Sequence, residues 1–173
     1  MLLTLYIVVG LIALILLFAL LVKKEYTLFS ETTINKSSTV VLDYVTHLGN
    51  QKYYNKWMMA DPKMEVTTRG VDGTVGFVSK WDSKTAGAGE QEITSIVPGK
   101  SYDVELRFER PFKGLSYSNT TLHAITPEQT KVITTFNTKT DFPMSAMIPL
   151  LKKILKKDMD ENSANLKRVL EEA

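Results

Sequence analysis

Residues 144–172 read MSAMIPLLKKILKKDMDENSANLKRVLEE, and this stretch decides the fold. Met147, Leu151, Ile154, Leu155, Met159, Leu166, Val169 and Leu170 recur at steps of three and four, the period of a helix with one apolar stripe. Ser145 is the expected N-cap, and Pro149 falls in the first turn, where a missing N–H does least harm. No glycine or proline follows Pro149, so the helix runs roughly 40 Å at about 1.5 Å per residue. Residues 25–140 offer short strands and turns with one or two small helices. The apolar stripe of the long helix must therefore lie on a sheet.

The chain has 173 residues, 44% of them hydrophobic, and a net charge of +2. That is enough for one domain with a small appendage, and the charge gives no reason to expect a nucleic-acid partner. There are no cysteines and only two histidines. Disulfides and thiolate chemistry are excluded, and neither histidine stands in a metal-ligand spacing, so no metal or cofactor is expected.

Residues 1–22 contain no charged side chain. As a helix they span roughly 33 Å, the thickness of a hydrocarbon core. Their Leu, Ile, Val and Phe side chains favour insertion by about 5–9 kcal/mol in sum. A cleaved signal peptide fits less well: the start carries no Lys or Arg, the apolar run is long, and no small-x-small site precedes Lys23. The expected division is a transmembrane anchor over 1–24 and a ligand-binding domain over 25–173. Lys23 and Lys24 flank the C-terminal end of the anchor, which places the domain in the cytoplasm by the positive-inside rule.

Glu25–Ile34 reads as a first strand. Ser37 or Ser38 then caps a short helix over Val40–Leu48, and a second helical turn covers Lys52–Trp57. Strands follow over Met64–Thr68, Val75–Trp81, Glu90–Val97, Ser101–Glu109, Leu115–Ile125 and Thr130–Thr140, with Gly87 and Gly89 read as a turn. Ser101–Glu109 alternates most clearly. Tyr102, Val104, Leu106 and Phe108 share a dry face, and Asp103, Glu105, Arg107 and Glu109 a wet one. The expected fold is α+β: a curved antiparallel sheet of six or seven strands around a long C-terminal helix, a helix-grip, with a cavity between the two.

Several residues in this order resemble a known family. They are Ile34-Asn35-Lys36-Ser37 before a helix with Val41 and Tyr44-Val45, then Trp57. Gly73-Thr74-Val75-Gly76 follows, leading to Trp81, and then Gly87-Ala88-Gly89-Glu90. Pro111 comes after the strand Leu106–Arg110, and Asp158-Met159 precedes Leu166-Lys167. Together they resemble the SRPBCC superfamily (START/Bet v 1-like), and within it the polyketide cyclase/dehydrase-like proteins. The resemblance covers Glu25–Glu172. It implies the helix-grip fold and a hydrophobic cavity but no single reaction, since members include carriers, sensors and cyclases.

The candidate ligand pocket comprises Trp57, Phe77, Trp81, Tyr102, Val104, Leu106, Phe108 and Phe136 on the sheet side, with Met147, Leu151 and Leu155 on the helix. For the two tryptophans, cavity lining and core packing both stand. His123, Tyr102 and Tyr117 are the candidates for acid–base work, and they serve it only if they point inward. Lys152, Lys153, Lys156 and Lys157 sit in the first half of the long helix, against its dipole. They are either a wet face or, with Lys23 and Lys24, a contact with anionic headgroups, which would put the pocket mouth on the membrane side. The leading expectation is a membrane-tethered module, its partners the bilayer and a hydrophobic or amphipathic lipid-like molecule. A cyclase or dehydratase acting on a polyketide-like substrate, and a partner-binding domain with a filled cavity, are the alternatives.

Overall fold

A computed structural model describes residues 1–172. The chain runs α1 (Leu2–Leu21), β1 (Glu25–Ile34), α2 (Ser38–Thr46), a 3-10 segment (Leu48–Tyr53), α3 (Lys56–Met59), β2 (Glu65–Arg69) and β3 (Val78–Ser83). It continues through β4 (Gly87–Val97), β5 (Ser101–Arg110), β6 (Gly114–Thr126), β7 (Gln129–Lys139), a 3-10 turn (Met144–Met147) and α4 (Ile148–Glu172). The seven strands form one antiparallel sheet in the order β1-β7-β6-β5-β4-β3-β2. Successive hairpins build β2 to β7, and β1 returns to pair with β7. Irregular register within β4–β5 and β6–β7 marks bulges, which bend strands and deepen the curve of a sheet. The result is the helix-grip fold, with α4 lying against the sheet.

The register fixes which end of the sheet is which. Glu25 pairs with Lys139, Thr138 with Ser116, Leu106 with Ser116, and Gly114 with Phe108. The β5–β6 turn therefore lies at the same end as Glu25, four residues after the end of α1. At the opposite end Ile34 pairs with Thr130. The packed core is concentrated toward that second, distal end. There Ile34, Val41, Val45, Leu48, Phe77, Ile93, Leu122 and Val132 meet Leu166 and Leu170 of α4. Ser37 caps α2 by accepting from the Val40 N–H, which holds this helix across the distal opening.

Three local readings of the sequence are corrected. Ser145 is not the cap of the long helix, which begins at Ile148; its hydroxyl donates instead to the Ala19 carbonyl at 2.6 Å. That carbonyl is one of the four a helix end leaves without a partner, so Ser145 closes α1. The strand expected over Val75–Trp81 starts only at Val78, because Gly76 adopts φ +86°. Gly87 and Gly89 are not a turn but part of β4. A Cβ at Gly89 would lie 2.7 Å from the Trp81 indole, so the glycine lets the ring lie across the strand.

α1 is long and apolar enough to cross a membrane. Of its residues only Ala19 is buried, against the Met144–Met147 turn.

Candidate functional site

Between sheet and helix lie two adjoining chambers. The inner one has a volume of about 130 Å³, the outer about 300 Å³. Gln51, Asn55, Trp57, Gln91, Leu106 and Phe136 border both. The inner chamber exists because the inward face of β6 carries small side chains: Ser118 and Thr120 line it, with Thr134 of β7 opposite. Larger residues at those alternating positions would fill it. Thr120 and Thr134 share a hydrogen bond at 3.2 Å, so the hydroxyls are satisfied without a guest. Asn162 and Ser163 of α4 face the same space, about two helical turns beyond Leu155.

The wall between the chambers is polar and uncharged. The buried amides of Gln51 and Gln91 bond to one another twice, Nε2 to Oε1 at 3.2 and 2.9 Å. Beyond them stand the phenols of Tyr54 and Tyr102, both buried and hydrogen-bonded to one another. Burial, then the neighbouring phenol groups, push the Tyr54 hydroxyl well above the ordinary phenol range. Burial raises Tyr102 too, against hydrogen bonds from Thr120 and Tyr54 that pull the other way. Both phenols stay neutral at physiological pH. They offer O–H donors and acceptors but no base.

The outer chamber is apolar. Trp57 and Met58 of α3, Met64, Trp81, Phe108 and Leu155 surround it, and Pro111 and Phe112 of the β5–β6 turn form its rim. Trp81 and Phe108 meet edge to face at 5.8 Å between ring centres. α3 is held over the chamber by α4. The Lys56 ammonium lies 2.7 Å from Glu161 and 2.9 Å from the nearly buried Asp158, and the Lys56 N–H donates to Asn162. Those hydrogen bonds, with Glu161 first and Asp158 second, raise the Lys56 ammonium above its ordinary range. Among the described residues no Asp, Glu, Lys or His lines either chamber. Arg110 is the one charged group, and it pairs with Asp82.

Of the residues expected from sequence, Trp57, Trp81, Tyr102, Val104, Leu106, Phe108, Phe136 and Leu155 line the chambers. Three do not. Phe77 precedes β3 and is buried in the distal core. Met147 belongs to the 3-10 turn before α4 and is exposed, and Leu151 stands half-buried outside both spaces. Tyr117 and His123 are exposed on the outer face of β6, because the inward positions of that strand are Ser116, Ser118, Thr120 and Leu122. An acid–base role for either on the cavity wall is ruled out by this parity, and of the three candidates only Tyr102 faces a chamber. Gln51, Gln91, Tyr54 and Asn162 were missed, since a reading tuned to apolar periodicity passes over amides. The signal for Asn162 was its place seven residues after Leu155, on the same helical face.

The lysines divide. The Lys152 ammonium stands over the Tyr26 ring at 5.2 Å, and Lys156 pairs with Asp160 along the helix. Lys23, Lys153 and Lys157 are exposed. Lys24 is half-buried, and its carbonyl accepts from the Thr140 N–H at 2.9 Å, extending the β1–β7 ladder toward α1.

No protein-family model matches this sequence, and no curated protein matches it. Solved structures do. Truncated norcoclaurine synthase from Thalictrum flavum superposes with a TM-score of 0.64 at 11% identity, covering 87% of this chain and 97% of that one. Protein MLL2253 from Mesorhizobium loti gives 0.62 at 16% identity, over 86% and 98% of the two chains. Ara h 8.0201 gives 0.52 at 17% identity, over 82% and 98%. At these identities the likeness is one of fold, and it is the helix-grip fold that the chain shares with them.

Proposed function

We propose that this protein is a membrane-tethered binding module for a small, uncharged amphipathic molecule, taken up apolar end outward. The observation that carries this is the division of one cavity into an apolar outer chamber and a polar, charge-free inner one. A hydroxyl, carbonyl or amide on a ligand meets the Gln51–Gln91 pair and the Tyr54 and Tyr102 hydroxyls; its hydrocarbon meets Trp57, Trp81, Phe108 and Leu155. A carboxylate or ammonium head would be buried without a counter-ion, at a cost of several kcal/mol or more. The tether is the reading given to α1, whose apolar length suits a bilayer.

A cyclase reading needs a proton acceptor at the reacting atom. The neighbour solved with dopamine and hydroxybenzaldehyde shows that this fold can host chemistry, yet the polar groups facing these chambers are amides, hydroxyls, neutral phenols and the Arg110 guanidinium, none of them a base. Binding is the better supported reading.

The test uses the full chain in mild detergent. Trp57 and Trp81 are its only two tryptophans and both border the outer chamber, so intrinsic emission reports occupancy. A medium-chain fatty alcohol should shift that emission and saturate, and the ionised fatty acid of equal length should bind at least tenfold more weakly. Absence of saturable binding by both would sink the reading. Preference for the acid would sink the uncharged-head part of it.

A further inference from the structure

The reading of α1 as a membrane helix, on which this inference rests, has a geometric consequence. The Met144–Met147 turn packs beside Ala19, two residues before the end of α1. At about 1.5 Å of rise per residue that is roughly 3 Å inside the apolar helix. A helix whose apolar length spans the hydrocarbon cannot present Ala19 to water, so the turn packed on it and the start of α4 must also lie at the boundary.

The side chains found there suit that position. Phe142, Met147, Leu150 and Ile154 are all exposed, and Leu150 and Ile154 are 52% and 46% accessible. In α4 these two occupy neighbouring turns on one stripe, offset by one residue, about 100°, from the inward stripe of Leu151 and Leu155. The first ten residues of the helix, 148–157, contain four lysines and no acid, and exposed Lys153 and Lys157 flank the apolar stripe. An apolar strip edged by cations is the pattern of a helix lying at a lipid headgroup boundary.

The mouth of the outer chamber lies at the same end. Its rim residues Pro111 and Phe112 are in the β5–β6 turn, which the register places beside Glu25 and Lys139, and Leu155 closes the other side from the second turn of α4. Phe112 is itself exposed, with Lys113 beside it.

We propose that this rim is seated in the bilayer: Phe112, Phe142, Met147, Leu150 and Ile154 enter the headgroup–acyl boundary beside α1, and the ligand passes between bilayer and cavity without crossing water. The occupant of the exposed apolar face is thus the lipid surface. α1 then acts as more than a leash, because Ser145 and the short Val22–Lys24 connection fix the angle at which the mouth meets the membrane.

The natural chain has no cysteine, so single reporters can be placed at will. The full chain is reconstituted into phosphatidylcholine vesicles, with and without phosphatidylglycerol. An environment-sensitive fluorophore is attached at Leu150→Cys, Ile154→Cys or Phe112→Cys, and for comparison at Val71→Cys or Ile125→Cys, both exposed residues of the distal end. Nitroxide carried high on the acyl chain should quench the three rim labels several-fold more than the two distal ones, with blue-shifted emission at the rim. Leu150→Glu with Ile154→Glu, both on exposed positions, should remove the shift at residue 112 while circular dichroism stays unchanged. Rim labels quenched no more than distal ones would overturn the proposal, as would a residue-112 signal indifferent to the double substitution. Resistance to alkaline extraction reads α1 alone. A chain that washes off refutes the tether and the seated rim together, whereas one that stays but leaves the rim unquenched refutes only the seating. Neither outcome depends on the fatty-alcohol assay.

Discussion

The two ends of α4 carry the same apolar stripe to different purposes. At the distal end Leu170 is buried in the core with Ile34, Leu122 and Val132 and borders neither chamber, while Leu166, one turn earlier, borders the inner one. At the proximal end Leu155 reaches the same sheet and finds a chamber of about 300 Å³. The helix is continuous, so the difference comes from what faces it. Distally the sheet and α2 offer Val, Ile and Leu. Proximally the inner chamber meets the small Ser118, Thr120 and Thr134, and the outer one is walled by Trp57, Trp81, Phe108 and Leu155. The contrast teaches that one half of the fold supplies stability and leaves the other free to stay hollow, since an empty apolar cavity forgoes packing that must be made up elsewhere.

The sharpest way to break this comparison is to truncate the two ends of the stripe alike. Leu170→Ala should cost about 2–5 kcal/mol, because it opens a void in a packed core. Leu155→Ala only enlarges a space already open, and being half-buried it should cost roughly 1 kcal/mol while changing fatty-alcohol affinity. Urea titrations of the full chain in mild detergent read both. Equal losses would mean that the proximal half is packed after all.

Next in size is the amide pair between the chambers. Gln51→Leu or Gln91→Leu alone strands a buried partner amide, at about 1–3 kcal/mol. The double substitution removes both halves of the pair and should recover most of that loss, a coupling the four-variant cycle measures. Additive losses would show that the amides do not depend on one another. The double variant should also weaken the alcohol more than a plain hydrocarbon of equal length, since only the former uses the polar chamber.

The phenols sharpen the comparison along the pH axis. Tyr54 and Tyr102 have folded values raised above those of the unfolded chain, chiefly by burial. Below pH of about 10 both states keep the protons and stability is indifferent to them. Above it the unfolded chain releases protons that the folded one retains, so stability falls as pH climbs toward the folded values, by up to about 1.4 kcal/mol per pH unit for each phenol. Tyr54→Phe with Tyr102→Phe should flatten that alkaline slope. An unchanged slope would assign the alkaline loss to other groups.

The fold was legible because its carriers are periodic. Met147 to Leu170 announced the long helix, and Tyr102 to Phe108 announced a half-dry strand whose inward members do line the chambers or the core. The site was half legible, for a physical reason. A cavity is made by residues too small to fill it, and Ser118, Thr120 and Thr134 leave no hydrophobic signature. Their presence on the inward face also hid the parity of β6, so Tyr117 and His123 drew notice from the wrong side of the sheet. Gly89 read as a turn because glycine so often is one. Here it clears space for the indole of Trp81, its register partner across the β3–β4 hairpin, a cross-strand contact that glycine's turn preference does not announce. Ser145 read as a cap, and it is one, but of α1, the helix 126 residues earlier.

The smallest expected effect lies on the outer face, where the charges are densest. Arg107 reaches Glu90, Glu92 and Glu105, and hydrogen bonds to these carboxylates, Glu92 first, raise its guanidinium above the ordinary range. On a list of contacts this cluster outranks the Gln51–Gln91 pair. Its position decides otherwise. The Arg107 side chain is 34% exposed, water screens it, and removing one carboxylate leaves two. Glu105→Ala should therefore change stability by no more than about 0.5 kcal/mol, and less in high salt. The neutral amides inside are buried and face one another, so truncating one leaves the other without its protein partner. If Glu105→Ala cost as much as either glutamine single in the same urea titration, burial would not be what separates the two networks, and the polar wall of the cavity would lose its claim to be the costlier one to disturb.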